Sequence, residues 1–197
     1  RGGWWRVRCR LVVIVLFKER ATTGTSTLSL RDALPVWPKA LSYGGGAHFR
    51  AVGYLRSKAR RPNDGPFMLC ASYHHPHEPF LPPQDLWDLY EGAEIDIPDF
   101  PDDLDDSYSL LDRNLNAYHG TRRHDLRDPD GLRRVRRAHY ALVTYLDRKV
   151  GELLALLAEP GPAGHTVVVF TSDHGDMLLV KGLVQTRTSH QWSRRLR

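Results

Sequence analysis

The sequence predicts an α/β fold with a mainly parallel central sheet. Two short apolar runs, at 67–73 and 167–170, have the composition of buried strands, and polar residues follow each of them directly. A long amphipathic segment from 129 to 157 has helical spacing and precedes the second run. Because a helix that leads into a strand is a unit of an α/β sandwich, these three observations favour that architecture.

The N-terminal segment, residues 1–35, shows no coherent pattern except the apolar run Leu11–Phe17, which predicts a short buried strand. We expect this irregular segment to be followed by one domain at 36–182 and a divergent basic tail at 183–197. The first residue is Arg, which indicates a fragment, and no signal peptide is recognisable. The apolar run is too short to span a bilayer, so we expect no membrane attachment.

Composition narrows the functional classes. The net charge is +5, and nucleic acid is the obvious partner of a basic chain. However, the Arg residues near 122–137 interleave with the apolar stripe of a helix, and no nucleic-acid-binding motif accompanies them, so we expect no nucleic acid partner. Cys9 and Cys70 form neither a disulfide framework nor a Cys-x-x-Cys site, which mildly favours the cytoplasm. A homo-oligomer is compatible with the sequence but cannot be read from it.

The middle of the chain predicts two helices before the acidic stretch. Phe49, Val52 and Leu55 have helical spacing and predict a helix over Ala47–Lys58. Pro82–Tyr90 predicts one short helix. The rest of 81–128 is acidic and rich in Pro, so we expect it to be mostly irregular, with the six Asp between 96 and 106 in solvent.

The strongest helix prediction begins at Asp128-Pro129, an N-cap Asp followed by Pro at the first helical position. Apolar residues from Leu132 to Leu157 keep helical spacing for about seven turns. The residues between the apolar positions are expected to face water, and they include Arg133, Arg134, Arg136 and Arg137.

Polar residues at the end of the second apolar run are the first candidate site. Ligands of open α/β sheets bind at the carboxyl ends of strands. Asp173 and His174 offer one hard oxygen and one imidazole to a divalent cation, and Gly175 allows a tight turn. The alternative is a helix N-cap formed by Ser172 or Asp173.

Three histidines follow the first apolar run: His74, His75 and His77. Pro76 and Pro79 restrict the backbone of this loop. One imidazole could donate a hydrogen bond to an anionic ligand or protonate a leaving oxygen. A plain surface loop and a zinc site built from closely spaced histidines are the alternatives.

Both motifs resemble elements of the sulfatase family, within the alkaline-phosphatase-like superfamily. The string Val-Val-Val-Phe-Thr-Ser-Asp-His-Gly-Asp-Met-Leu resembles the strand end that completes a divalent-metal site, usually for calcium. The string His-x-Pro-His-x-Pro-Phe resembles a substrate-contacting loop. The resemblance implies that Asp173 and His174 are metal ligands, that His77 is the catalytic, substrate-contacting residue, and that His75 is a supporting neighbour in the substrate site.

The resemblance also covers the long helix and is greatest for choline-sulfatase-like members. It implies that the chain is a fragment of an alkaline-phosphatase-like α/β sandwich, with 36–182 as part of a sulfatase catalytic domain. The implied parent activity is metal-dependent hydrolysis of a small sulfate monoester such as choline sulfate. A phosphonate or phosphodiester hydrolase of the same superfamily, and a non-catalytic module that binds an anion through the basic helix, are the alternatives.

The chain departs from the family pattern in two places. Leu179 and Val180 replace the family's Gly-Glu, and residues 184–186 replace a Trp-Tyr-Lys string whose Lys reaches the sulfate group; Lys181 lies five residues too early. The string Cys-x-Pro-x-Arg or Ser-x-Pro-x-Arg, which matures to the formylglycine nucleophile, does not occur. The N-terminal Asp-Asp metal pair is also missing.

We therefore expect no nucleophile in this chain and no activity of the chain alone. Out-of-frame translation of residues from about 24 to 35 and from about 183 onward is one hypothesis for the departures. Plain divergence is the other.

Overall fold

The computed structural model describes residues 10–16, 39–61, 67–99, 106, 108–119, 128–158 and 166–183. In chain order its elements are β1 (Arg10–Leu16), α1 (Lys39–Arg60), β2 (Met68–Tyr73), α2 (Gln84–Asp88), α3 (Leu110–His119), α4 (Pro129–Ala158), β3 (Thr166–Ser172) and a 3₁₀ turn (Val180–Gly182). The out-of-frame hypothesis for about 24–35 and the predicted tail from 184 onward concern residues outside these ranges.

The sheet is parallel, as predicted. Its three described strands are arranged in the order β2-β1-β3, with β1 paired in parallel to both neighbours. The apolar run in the N-terminal segment therefore forms the middle strand. Leu16 of β1 pairs with Tyr73 of β2 and with Ser172 of β3. As a result, β2 and β3 end at the same edge of the sheet.

The main core lies between one face of β2 and the helices α1 and α4. It unites buried side chains of all three elements, and these are Ala51, Leu55, Ala71, Tyr73, Leu146, Leu153 and Leu157. Phe67, just before β2, joins the same cluster. Burial of large apolar side chains contributes about 1.5–3 kcal/mol each, so this layer fixes the position of the end of β2.

The apolar strands are less buried than predicted. In β2 the residues of one face are buried, whereas Met68 is 66% exposed and Cys70 is exposed as well. In β3 the four apolar residues Val167–Phe170 are each between 39% and 52% exposed. The strand forms as predicted, but its predicted burial is wrong in the described chain, because the core that α1 and α4 form contains side chains of β2 and none of β3.

Helix α1 begins earlier than predicted and turns a different face to the core. It starts at Lys39 and includes the three glycines 44–46. Ala51 and Leu55 are buried, but Phe49 is 78% exposed. Phe49 was predicted on the apolar face. The error arises because His48, one residue earlier, takes the buried position through hydrogen bonds that its polarity did not suggest.

Helix α3 was not predicted, and its start explains why it forms. The Ser109 hydroxyl and backbone N–H both donate to Asp112 Oδ2, at 2.7 and 3.0 Å. The Asp112 N–H in turn donates to Ser109 Oγ at 3.2 Å. These reciprocal bonds resemble a capping box, with Asp in place of the usual Glu. The Ser-Leu-Leu-Asp spacing was therefore a usable signal within the stretch that was predicted to be irregular.

Helix α4 confirms the predicted start. Asp128 Oδ1 accepts a hydrogen bond from the N–H of Asp130 at 3.1 Å, and Pro129 is the first helical residue. Arg133 faces solvent as predicted. The prediction is wrong for Arg136, which is 7% exposed and donates to both carboxylate oxygens of Asp96, at 2.8 and 2.9 Å.

Arg137 also departs from the predicted solvent-facing position. Its guanidinium carbon lies 4.3 Å from the centre of the Trp87 ring, and its Nη2 donates to the Trp87 carbonyl at 2.7 Å. A guanidinium that stacks on an indole is stabilised by cation–π attraction. Two of the four arginines at 133–137 thus serve to attach the 87–96 segment to α4.

Candidate functional site

The candidate site lies at the sheet edge where β2 and β3 end. Tyr73 and Ser172 both pair with Leu16, so the His loop, which we define as 74–80, and the Asp loop, 173–179, begin at the same level. Neighbouring strands lie about 4.8 Å apart, which places these two strand ends roughly 10 Å from each other across β1. An imidazole loop and a carboxylate loop thus lie at one edge of the sheet.

His77 is held by its own neighbour in the His loop. Its Nδ1 donates to the Glu78 carbonyl oxygen at 2.6 Å and lies 3.0 Å from Glu78 Oε2. The side chains of both residues are only about a tenth exposed, at 10% and 11%. Because a carbonyl oxygen only accepts, Nδ1 carries a proton in this arrangement. His74 stacks on His77 with ring centres 4.8 Å apart.

His75 is a buried packing residue. It is 1% exposed, and its ring meets Tyr145 edge to face with centres 5.3 Å apart. A Cβ added at Gly44 would lie 3.3 Å from His75 Nδ1, so glycine at this position lets α1 approach the ring. Burial, together with the nearby His74, lowers the pKa of His75 to about 4. A neutral, enclosed imidazole is suited to support the loop, and its role toward substrate stays a prediction.

The depressed pKa of His75 makes stability depend on pH. The ordinary pKa is 6.5, so as the pH falls below this value the unfolded chain takes up the proton while the folded chain does not. The free energy of unfolding is therefore expected to fall by roughly 3 kcal/mol between pH 6.5 and 4 on account of this residue. Urea titrations of the chain at several pH values measure the slope. His75→Phe removes the titrating group, so an unchanged slope in that variant would contradict the assignment.

Asp173 and His174 form the turn that begins the Asp loop. Asp173 is exposed, and its Oδ1 accepts a hydrogen bond from the His174 N–H at 2.9 Å. His174 Nδ1 donates to the Gly175 carbonyl at 3.1 Å. In the neutral ring this leaves the lone pair on Nε2, which is buried, has no hydrogen bond within the described ranges, and lies 3.4 Å from Asp173 Oδ2.

This pair fits part of a divalent-metal site. One carboxylate and one imidazole nitrogen with an available lone pair lie next to each other, and the carbonyl partner of Nδ1 orients the ring as is typical of metal-bound histidines. The described residues contain no group of three or more potential ligands. Calcium takes six to eight oxygen ligands, so most of its coordination would have to come from other groups. The alternative of Asp173 as a helix N-cap is not supported, because only a short 3₁₀ turn follows in the described chain.

A link between the two loops was not predicted. His139 on α4 lies with its Nε2 3.3 Å from Asp176 Oδ2, and both side chains are nearly buried, at 13% and 10% exposed. The same ring meets Phe80 of the His loop edge to face, with centres 5.3 Å apart. His139 thus contacts the last residue of one loop and a carboxylate of the other. In the sequence, His139 differs from its surroundings only in being a titratable residue at an apolar position of the predicted helix.

A second unpredicted network holds the end of β2. The Tyr73 hydroxyl lies 2.8 Å from His48 Nδ1, and His48 Nε2 lies 2.7 Å from Glu152 Oε2. Since the carboxylate only accepts, Nε2–H donates to Glu152 and Nδ1 accepts from Tyr73. Burial raises the pKa of Tyr73, and the hydrogen bond from His48 lowers the pKa of Glu152. The network joins β2, α1 and α4 directly below the His loop.

Comparison with solved structures shows the fold. The chain is similar to the phosphonate monoester hydrolase of Agrobacterium radiobacter, with a TM-score of 0.60 and 17% identity over 86% of this chain and 35% of that one. It is also similar to the phosphonate monoester hydrolase SpPMH of Silicibacter pomeroyi, with a TM-score of 0.55 and 23% identity over 74% of this chain and 30% of that one. The predicted fold class is confirmed: the chain has part of an alkaline-phosphatase-like α/β sandwich, with parallel strands in its described sheet.

Comparison of sequences shows the family. The model of the sulfatase family, "Sulfatase", matches residues 50–195. The chain is 37% identical over 124 residues to the choline-sulfatase of Rhizobium meliloti. The alignment covers 60% of this chain and 23% of that protein. It is 30% identical over 131 residues to the arylsulfatase of Clostridium perfringens, and this alignment covers 65% of this chain and 25% of that protein. The chain therefore belongs to the sulfatase family.

The chain spans about a quarter of the length of these two curated relatives. None of the helices in the described ranges combines the length and the apolar character that crossing a membrane requires.

Proposed function

We propose that this chain is the part of a sulfatase catalytic domain that supplies a substrate-contacting histidine and half of a metal site. The observation that carries the proposal is the common level at which β2 and β3 end, on either side of β1. The parent reaction is hydrolysis of a small sulfate monoester, and choline sulfate is the substrate that the 37% identity to a choline-sulfatase favours.

In this proposal each loop has a separate task. In its imidazolium form, with Nδ1–H held by the Glu78 carbonyl, His77 donates a hydrogen bond from Nε2–H to the ester oxygen and gives that proton to the leaving alkoxide, which leaves a neutral imidazole. Asp173 and His174 hold a divalent cation, calcium by family resemblance, which when bound supplies positive charge against the sulfate oxygens. His75 and His139 keep the loops in place through Tyr145, Phe80 and Asp176.

The chain alone is proposed to be inactive. Covalent catalysis of this type needs the formylglycine nucleophile, and the sequence contains no string from which it could mature. The purified chain is accordingly expected to give no turnover of 4-nitrophenyl sulfate or choline sulfate with calcium present.

The basic helix gives little support to the anion-binding alternative. Arg136 is committed to Asp96, and Arg137 to Trp87, so much of the positive charge on α4 is neutralised or covered within the chain. Similarity to phosphonate hydrolases extends to the fold alone, whereas the identities of 30% and 37% are to proteins named as sulfatases.

A segment swap tests the proposal. The stretch of the Rhizobium meliloti choline-sulfatase that aligns over 124 residues is replaced by the matching residues of this chain, so that the host supplies the nucleophile and the other metal ligands. We expect measurable hydrolysis of choline sulfate by the hybrid. A hybrid that folds and binds calcium but turns over no sulfate ester would contradict the proposed roles, and turnover by the 197-residue chain alone would contradict its inactivity.

A further inference from the structure

The buried face of β2 continues beyond the end of the strand. Ala71 and Tyr73 of β2 are buried, and so is His75 in the His loop, whereas Ser72 and His74 between them are only partly buried. Side chains of an extended chain alternate between its two faces. Tyr73 and His75 are therefore the two residues through which the core holds the start of the His loop.

Helix α1 contacts both of these residues with one face. Gly44 and His48 are four residues apart, so they lie on the same side of the helix. At Gly44 the helix backbone comes close to His75, as the distance of 3.3 Å from an added Cβ to His75 Nδ1 indicates. One turn further on, His48 Nδ1 accepts from the Tyr73 hydroxyl at 2.8 Å.

Helix α4 reaches the same two levels. Tyr145 and Glu152 are about two turns apart and share a face of this helix. The Tyr145 ring meets His75 edge to face, and Glu152 Oε2 accepts from His48 Nε2 at 2.7 Å. The imidazole of His48 is thus the point at which hydrogen bonds join α1, α4 and the end of β2.

A carboxylate, an imidazole and a hydroxyl in this order can also activate a nucleophile. Two observations favour a positioning role here. Tyr73 is 1% exposed, and its hydroxyl faces His48 within the core. Burial raises the pKa of Tyr73, so the hydroxyl stays protonated and acts as a hydrogen-bond donor.

We propose that His48 is a positioning residue for His77. By binding Tyr73 and Glu152 it holds the end of β2 between α1 and α4, and so fixes the direction in which the His loop leaves the strand. The inference rests on the proposed function, from which it takes the role of His77. The match of the family model begins at residue 50, so the match itself assigns His48 no role.

Hydrogen exchange of the 197-residue chain tests the positioning without catalysis. Tyr73→Phe removes the hydroxyl that His48 binds and retains the ring. The amides of 74–80 are expected to exchange roughly two- to tenfold faster, the factor for one lost hydrogen bond, while those of 173–179 stay unchanged. Tyr54→Phe, in the same core cluster, is the matched control and should change neither loop. Equal acceleration of both loops, or none in 74–80, would overturn the proposal.

A double-mutant cycle in the same chain tests His48 itself. His48→Leu keeps a buried apolar side chain but removes both hydrogen bonds, so the same selective acceleration of 74–80 is expected. Adding Tyr73→Phe should accelerate exchange no further, because both changes break one link. Additive effects would mean that Tyr73 acts without His48, which contradicts the proposal.

Kinetics of a hybrid separates this inference from the proposed function. The segment swap is extended to residues 39–183, so that α1 also comes from this chain. There Tyr73→Phe is expected to lower kcat for choline sulfate by up to about 100-fold through misplacement of His77, with a smaller loss for 4-nitrophenyl sulfate. Glu152→Gln retains an acceptor for His48 and should keep kcat close to that of the unmodified hybrid.

His77→Ala in this hybrid is the reference. If it impairs choline sulfate selectively but Tyr73→Phe does not, His48 does not position His77 and the inference is overturned. If His77→Ala itself has no selective effect, the proposed role of His77 fails instead, and the exchange of 74–80 still decides whether the network holds the His loop.

Discussion

In the hybrid enzyme, His77→Ala is expected to lower kcat for choline sulfate by about 10²- to 10⁴-fold, the usual contribution of a positioned proton donor. The reason lies in the geometry of the His loop. The Glu78 carbonyl accepts a hydrogen bond from Nδ1–H at 2.6 Å, so in the proposed role Nε2–H of the imidazolium is the group that would donate to the ester. Choline is a poor leaving group, so the departing oxygen depends strongly on protonation.

The leaving group separates the two roles proposed for His77. If His77 protonates the leaving oxygen, the loss with 4-nitrophenyl sulfate should be much smaller, because nitrophenolate leaves without a proton. If His77 only contacts the sulfate group, both substrates should lose activity equally. His74→Gln serves as the control, since His74 lies beside His77 but outside the family pattern, and it is expected to change kcat by less than about tenfold. A His77→Ala hybrid with full activity on both substrates would remove His77 from the mechanism.

The ends of helices and strands could be predicted from the sequence better than the burial of their side chains. The N-cap at Asp128, the polar ends of both strands and the parallel sheet follow from local residue patterns, and the structure confirms them. The exposure of β3 could not be predicted in this way, because it depends on which strand the helices cover. An apolar run predicts a strand, but its sequence does not show which helices or strands pack against it.

The polar links between distant segments were also beyond sequence reasoning. His139 and Asp176 are separated by 37 positions, and Arg136 meets Asp96 across 40. The sequence around each of these residues does not indicate which distant residue it contacts. In particular, an Arg between apolar positions of a helix is usually solvated, whereas Arg136 is buried because both the 87–96 segment and the Leu178 carbonyl of the Asp loop meet its guanidinium.

The departure from the family pattern at Leu179 has a visible backbone consequence. Leu179 has φ of 73° and is fully buried, and Leu178 before it has φ of 46°. The left-handed region favours glycine, and by resemblance the family has Gly where Leu179 stands. A non-glycine residue there costs about 1–2 kcal/mol. Apolar burial of Leu179 against α4 and the bond from Leu179 N–H to the Leu183 carbonyl at 2.8 Å offset this cost.

Phe80 is expected to be the strongest single anchor of the candidate site, and Phe80→Ala should lower the free energy of unfolding by about 3–5 kcal/mol. The side chain is 0% exposed and packs in a cluster with side chains of α4 and with Leu179 of the Asp loop. Its ring also meets His139, the partner of Asp176. Removing it therefore leaves a cavity at the point where both loops meet the helix.

Phe49→Ala is the matched control, because the same side chain is lost from a position 78% exposed, where the expected change is below about 0.5 kcal/mol. Phe80→Leu should fall between the two, since it keeps most of the apolar volume but loses the ring contact with His139. Urea unfolding gives the three free energies. Hydrogen exchange should show faster opening of 74–80 and of 173–179 together in Phe80→Leu, because one ring supports both loops. If only the His loop opens faster, His139 does not transmit the contact, and the two halves of the candidate site are held independently.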